Sequence, residues 1–228
     1  MTSMITAVIP VREGSRRILN KNIRPFAGSS LLELKIQQLK RIDDISTILV
    51  STDSERMLTV AKENGVVAKR RPKEYCDESS KSFNEVVEYI AEKEVDTEVM
   101  MWVPCVCPLV SDYSIKEGIR VFNEIEQGLR NEDSVASAKL IKEYIFDESG
   151  PINFSINDHV PSQLLPNWHV IVNGFFIAKR ADMIKWKFVY GRKPYLFEIS
   201  KTEGVDIDDE VDFYIAEELF NHRKQWEN

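Results

Sequence analysis

Ile5-Thr-Ala-Val-Ile-Pro-Val-Arg-Glu-Gly-Ser-Arg-Arg-Ile-Leu-Asn-Lys-Asn-Ile-Arg24 runs from an apolar stretch straight into a basic loop. Five uninterrupted residues, Ile5 to Ile9, have the pattern of a strand buried on both faces, and Pro10, Gly14 and Ser15 break it. Arg12, Arg16, Arg17, Lys21 and Arg24 then follow before the next helical pattern begins near Leu31. The cations therefore sit at a strand's carboxyl end, where open α/β sheets bind ligands and where loop amides favour phosphate. Only Glu13 opposes them, and Asn20 and Asn22 add short polar donors, so the loop reads as a built anion site. A solvated basic loop is the plainer reading of the same residues. The loop is not a Walker A sequence, since no Gly-Lys-Ser/Thr closes it, and it lacks the three-glycine dinucleotide pattern.

Outward from this stretch, apolar runs at Ile45–Val50, Val66–Ala68 and Val99–Val103 alternate with helical patterns at about Leu31–Arg41, Ser54–Asn64, Phe83–Glu94 and Ser114–Glu126. Repeated βα units predict a mostly parallel sheet covered by helices on both faces. Asp133–Ala138 predicts a further strand. From about Lys139 to Val172 the rhythm is broken by Pro151, Asn153, Pro161 and Pro166, as in an insertion; a strand at Val170–Ala178, interrupted by Asn173-Gly174, follows it. The expected organisation is one domain over residues 1–228 carrying that insertion at about 139–172.

Composition narrows the function classes. The 228 residues carry a net charge of −7 and 43% hydrophobic residues, enough for a full core. An acidic chain is a poor general nucleic-acid binder, and no apolar run approaches the roughly 20 residues that span a bilayer. No membrane or nucleic-acid partner is expected, and the expected location is cytoplasmic. Cys76, Cys105 and Cys107 lack the Cys-x-x-Cys spacing, and His159, His169 and His222 show no paired metal-ligand spacing. None is assigned a catalytic role.

The second informative stretch is Gly204-Val-Asp-Ile-Asp-Asp-Glu-Val-Asp-Phe213. In a strand, Asp206 and Asp208 would share a face, and two carboxylates suit Mg²⁺, which completes its octahedron with water and phosphates. A purely structural acidic strand end is the alternative. Asp209 would cap a helix from about Glu210 to His222.

Taken together, the loop Ile9–Arg24 and the Asp206-Ile-Asp208 element resemble the acylneuraminate cytidylyltransferase family. Val50-Ser-Thr-Asp-Ser-Glu55, and Arg70-Arg-Pro72 with Ser79, Ser80 and Ser82, agree in order and spacing. The resemblance implies a Rossmann-like nucleotidyltransferase fold. It also implies transfer of CMP from CTP to a nonulosonic, sialic-acid-like sugar acid with release of pyrophosphate. It implies that Arg12 and Lys21 act on the triphosphate and that Gly14, Ser15 and Asn22 hold the nucleotide. By the same resemblance Arg71 and Ser82 fix the cytidine, Asp206 and Asp208 hold Mg²⁺, and the insertion serves a homodimer. Asp53 is either a second metal ligand or, as its place after a strand suggests, a helix cap.

The acceptor half departs from the family. Where Gln-Pro-Thr-Ser-Pro-Leu-Arg is typical, this chain has Val103-Pro-Cys-Val-Cys-Pro-Leu-Val110, and Pro161-Ser-Gln-Leu-Leu-Pro166 places Ser162 where an arginine is expected. Sites that lack polar partners discriminate poorly for polar acceptors. A phosphorylated or phosphonate acceptor, such as phosphoglutamine in capsule modification, is the alternative within the enzyme class. A catalytically silent nucleotide-binding protein is the alternative outside it.

Overall fold

The computed structural model describes residues 4–14 and 17–223. Chain order is β1 (Ile5–Pro10), β2 (Pro25–Phe26), β3 (Ser29–Ser30), α1 (Leu31–Leu39), β4 (Ile45–Thr52), α2 (Glu55–Glu63), β5 (Val67–Arg70), α3 (Phe83–Lys93), β6 (Val99–Trp102) and α4 (Asp112–Glu126). It continues through β7 (Ser134–Ile141), β8 (Phe146–Asp147), β9 (Gly150–Pro151), β10 (Trp168–Lys179), α5 (Arg180–Trp186), β11 (Pro194–Glu198) and α6 (Glu210–Asn221). Seven strands form one sheet in the order β11-β7-β10-β6-β1-β4-β5. β1 pairs in parallel with β4 and β6, and β4 with β5, as the alternating pattern predicts. β10 is antiparallel to both β6 and β7, so the sheet is mixed.

Alternation along the strands sorts the core into two layers. Ile5, Ala7, Ile9, Val50, Val99 and Met101 face α1, α4 and α6, where Leu32, Ile36, Ile115, Phe122 and Phe213 meet them. Val8, Leu49, Met100 and Trp102 face the other way, against Val87, Ile90 and Ala91 of α3 and Met183 of α5. β1 thus needs apolar residues on both faces, which is why its sequence is a continuous run rather than an alternation.

Two elements differ from the sequence expectation. β7 and β10 extend into the predicted insertion and pair from Trp168↔Ile141 to Ile171↔Ala138, so the irregular arm is shorter than 139–172. The Asn173-Gly174 interruption is a register shift between Ile171 and Phe176 inside one continuous strand. Asp206 and Asp208 do not lie in a strand: 205–208 belongs to neither the sheet nor a helix. Ile207 is fully buried there, Asp206 half-buried and Asp208 exposed. Among the described residues no helix is long and apolar enough to cross a membrane.

α4 approaches β10 closely only because residue 118 is glycine: a Cβ there would lie 2.4 Å from the Phe175 ring, which is itself fully buried. Gly118→Ala should therefore destabilise the protein by about 1–3 kcal/mol through overpacking, measured by urea denaturation. Combination with Phe175→Leu should recover part of the loss; additive losses in the double variant would exclude this contact as the cause.

Candidate active site

The chain leaves β1 towards β4 and β5 and later returns to the opposite side of β1 as β6, which creates a switch point at the carboxyl ends of these strands. The basic loop emerges there. Val11 N–H donates to the Ser51 carbonyl at 3.0 Å, extending the β1–β4 ladder, and Glu13 N–H donates to Asp53 Oδ1 at 2.9 Å. Asp53 is therefore a loop anchor. It is not the cap of α2, whose N-cap position is Ser54. Gly14 adopts φ 78°, a left-handed backbone that favours glycine. Ser15 and Arg16 lie outside the described residues. Asn20, also left-handed at φ 54°, turns the chain into a short 3-10 turn, Lys21–Ile23, in which Asn22 is buried.

Arg12 and Arg71 meet in the segment after β5. Arg12 donates to the Cys76 carbonyl at 2.9 Å and pairs with Glu78. Arg71 is only 3% exposed. Its three guanidinium nitrogens reach Val11 O at 2.8 Å, Ser51 Oγ at 3.3 Å and the Cys76 sulfur at 3.0 Å. Ser82 begins α3 in a capping box: its hydroxyl accepts from Glu85 N–H, and the Glu85 carboxylate accepts from Ser82 N–H at 3.0 Å. Both residues expected to contact cytidine thus also hold the fold, Arg71 at the strand ends and Ser82 at a helix start.

The other wall is the segment before α6. Lys21 Nζ donates to the Ile207 carbonyl at 2.7 Å. Burial lowers the Lys21 pKa, while the charges of Asp206 and Asp208 oppose that shift. Burial raises the Asp206 pKa; the Asn173 amide, donating to its Oδ2 at 2.8 Å, counters this, and Asp208 adds to it. Asp208 pairs with Arg17 at 2.7 Å, and Arg24 pairs with Glu210 at 2.7 Å while lying over the Phe213 ring. Asp209 caps α6, accepting from Val211 and Asp212 N–H, as expected. Lys21, Asp206 and Asp208 are thus brought together, although they come from opposite ends of the chain.

The pair Asp206/Asp208 fits Mg²⁺. Both side chains offer hard oxygens, the Asn173 amide opposes the upward push of burial and of Asp208 on the Asp206 pKa, and a magnesium ion usually takes one or two carboxylates. Among the described residues no cluster of three or more His, Cys, Asp or Glu suits a metal, so water and phosphate would fill the remaining positions. Asn173 escaped the sequence reading as a site residue; its one signal was the Asn-Gly break within a strand pattern.

The loop Val103–Val110 is held through its backbone. Ile207 N–H donates to Val106 O at 2.9 Å, Lys35 reaches Cys107 O at 3.4 Å and Gln38 reaches Val110 O at 2.5 Å. Cys105 and Cys107 point into the core. A cavity of about 1000 Å³ lies beneath this loop, between α1, the start of α4 and the end of α6. None of the candidate residues lines it.

With this geometry in place, likeness to known proteins becomes informative. A family profile described as cytidylyltransferase matches residues 6–144, well over half of the chain. The chain belongs to the cytidylyltransferase family. Membership bears out the resemblance seen in the basic loop. An N-acylneuraminate cytidylyltransferase from Escherichia coli O18:K1:H7 is 25% identical over 219 residues, covering 95% of this chain and 52% of that protein. This chain therefore spans about half the length of that relative. The post-translational flagellin modification protein B of Campylobacter coli is 22% identical over 231 residues, 97% of each chain. Among solved structures, a CMP:2-keto-3-deoxy-manno-octonic acid synthetase complexed with CTP superposes with a TM-score of 0.71 at 12% identity, covering 97% of this chain and all of that one. That last likeness is one of fold.

Burial pushes the Cys105 thiol up to about 12 and raises that of Cys107 as well, which leaves almost no thiolate at neutral pH. Both should resist iodoacetamide in the native protein while reacting fully in denaturant. Rapid native labelling at either position, read by mass spectrometry, would contradict the core placement.

Proposed function

We propose that this cytidylyltransferase transfers CMP from CTP to an anionic acceptor, a nonulosonic sugar acid being the leading class, and releases pyrophosphate. The observation that carries this reading is the convergence of Lys21 with Asp206 and Asp208 beside the basic loop. Arg12 and Lys21 bind the triphosphate and stabilise the charge that collects on the departing pyrophosphate. An acceptor oxygen attacks the α-phosphorus in line, the bond to the β-phosphate bridging oxygen breaks, and no covalent enzyme intermediate is needed. Asp206 and Asp208 would hold Mg²⁺, which would supply charge neutralisation to the phosphates. Asn173 keeps Asp206 aimed, and Arg71 with Ser82 shapes the cytosine pocket. A phosphorylated or phosphonate acceptor is the second reading, supported by the absence of charged side chains on Val103–Val110.

A homodimer is part of the same proposal. The arm exposes Phe146, Ile152, Ile156, Leu164, Trp168 and Val170, an apolar surface of the kind that marks association. A two-fold contact is the commonest solution. Light scattering at micromolar concentration should give twice the chain mass, and Val170→Asp should shift it towards the monomer; a monomeric wild type with full activity rules the dimer out.

Pyrophosphate release, with CTP or ATP against a panel of nonulosonic acids, phosphorylated amino acids and phosphonates, tests the reaction. CTP should be preferred strongly, because the wrong base leaves buried polar groups unpaired. Asp208→Asn should lower magnesium-dependent turnover by orders of magnitude with little change in thermal stability. Asp209→Ala should instead cost about 1 kcal/mol of stability through the lost cap. An unchanged magnesium titration in both Asp206→Asn and Asp208→Asn would falsify the metal assignment.

A further inference from the structure

One cation near the acid pair has no role in the foregoing account. Lys139 stands on β7, on the same face as Val135 and Ser137, near the carboxyl end of that strand. It is half-buried. Its stem lies along Gly204, where an added Cβ would stand 3.3 Å from Lys139 Cδ and 3.6 Å from its Cβ. Gly204 is buried and only two residues before Asp206. The neighbouring lysines are committed: Lys21 to Ile207 O, Lys35 to Gln38 and Lys142 to Leu165 O. Lys139 has no side-chain hydrogen bond or ion pair among the described residues. The buried Cys107 thiol feels Lys139 together with Asp206 and Lys21, which places all three around the end of the same loop.

The strand order gives this cation a side. Lys21 reaches the Ile207 carbonyl, between the two acids, from the loop after β1, whereas Lys139 approaches from β7, with β10 and β6 between β7 and β1. Asn173, which holds Asp206, lies on the intervening β10. The acid pair is therefore bracketed by a cation on the triphosphate side and a cation on the opposite side. Cys105 and Cys107 face the core there, and the arm has Ser162 where an arginine was expected.

We propose that Lys139 binds an anionic oxygen of the acceptor, a carboxylate or phosphate-type group, and so seats the acceptor across the acid pair from CTP. This rests on the CMP-transfer reading. A strand-borne, half-buried ammonium is a rigid point charge, suited to either anion. Gly204 leaves the room for its stem.

Lys139→Met keeps the stem on Gly204 and removes the charge. CTP affinity, measured by calorimetry without acceptor, should stay within about twofold. The KM for acceptor at saturating CTP should rise about 10–100-fold, the range for losing a hydrogen bond to a charged group, and Lys139→Arg should recover part of it. N-acetylneuraminate and phosphoglutamine are the two probes; the one whose KM responds identifies the anion. A second readout needs no turnover: the responding anion should protect Lys139 from reductive methylation in the wild-type protein. Weaker CTP binding with unchanged acceptor KM assigns Lys139 to the nucleotide half and overturns the proposal, as does failure of both anions to protect the amine. Failure of wild-type turnover with both probes, while one still protects Lys139, counts against the transfer reading and leaves the anion site standing.

Discussion

The crevice depends on one buried guanidinium. Arg71 ties the carbonyl after β1, a hydroxyl near the end of β4 and the sulfur of Cys76 into one cluster that no strand pairing provides. A charged donor with its hydrogens spent on neutral acceptors stays buried only because each bond is made; truncating it would leave acceptors unpaired and desolvated. The cluster fixes the start of the basic loop relative to the segment that holds Arg12. The basic loop thereby stands on a rigid floor.

The cations above that floor are held differently. Arg12, Arg17 and Arg24 each rest on a carboxylate, Glu78, Asp208 and Glu210 respectively. Exposed pairs of this kind are worth about 0–1 kcal/mol, so an incoming polyanion would displace them at little cost. The pairs limit the repulsion among basic side chains crowded at the carboxyl ends of the strands. Loss of the Arg17 pair would leave Asp208 open to another partner.

Much of the fold was legible in the sequence because buried parallel strands write continuous apolar runs, as at Ile5–Ile9 and Val99–Val103. β11 was not, since an edge strand that begins at Pro194 and is only partly covered carries neither a long apolar run nor a clean alternation. The antiparallel direction of β10 left no local trace, because strand polarity is set by the connections and not by side-chain type. In the candidate site, residue chemistry and family resemblance singled out Lys21, Asp206 and Asp208, which the fold brings together. The strand expected for the acid pair was wrong: 205–208 pairs with no strand, and an Asp-Ile-Asp pattern does not by itself tell a strand from an unpaired segment. Asp53 misled because an Asp after a strand resembles a cap, while tertiary contact gave it to Glu13. The spacing of Ser82 and Glu85 carried the capping signal that its nucleotide reading overlooked.

β10 has a property that its secondary structure alone does not convey. Its twelve residues start in the arm at Trp168, pass through the register shift that presents Asn173 to Asp206, and finish between β6 and β7 in the core. The arm and Asn173, which donates to Asp206, are therefore sections of one strand. A displacement of the arm by anything that seats on it is carried along β10 to Asn173, two residues beyond the paired Ile171, so that assembly and the aim of Asp206 meet at a single side chain.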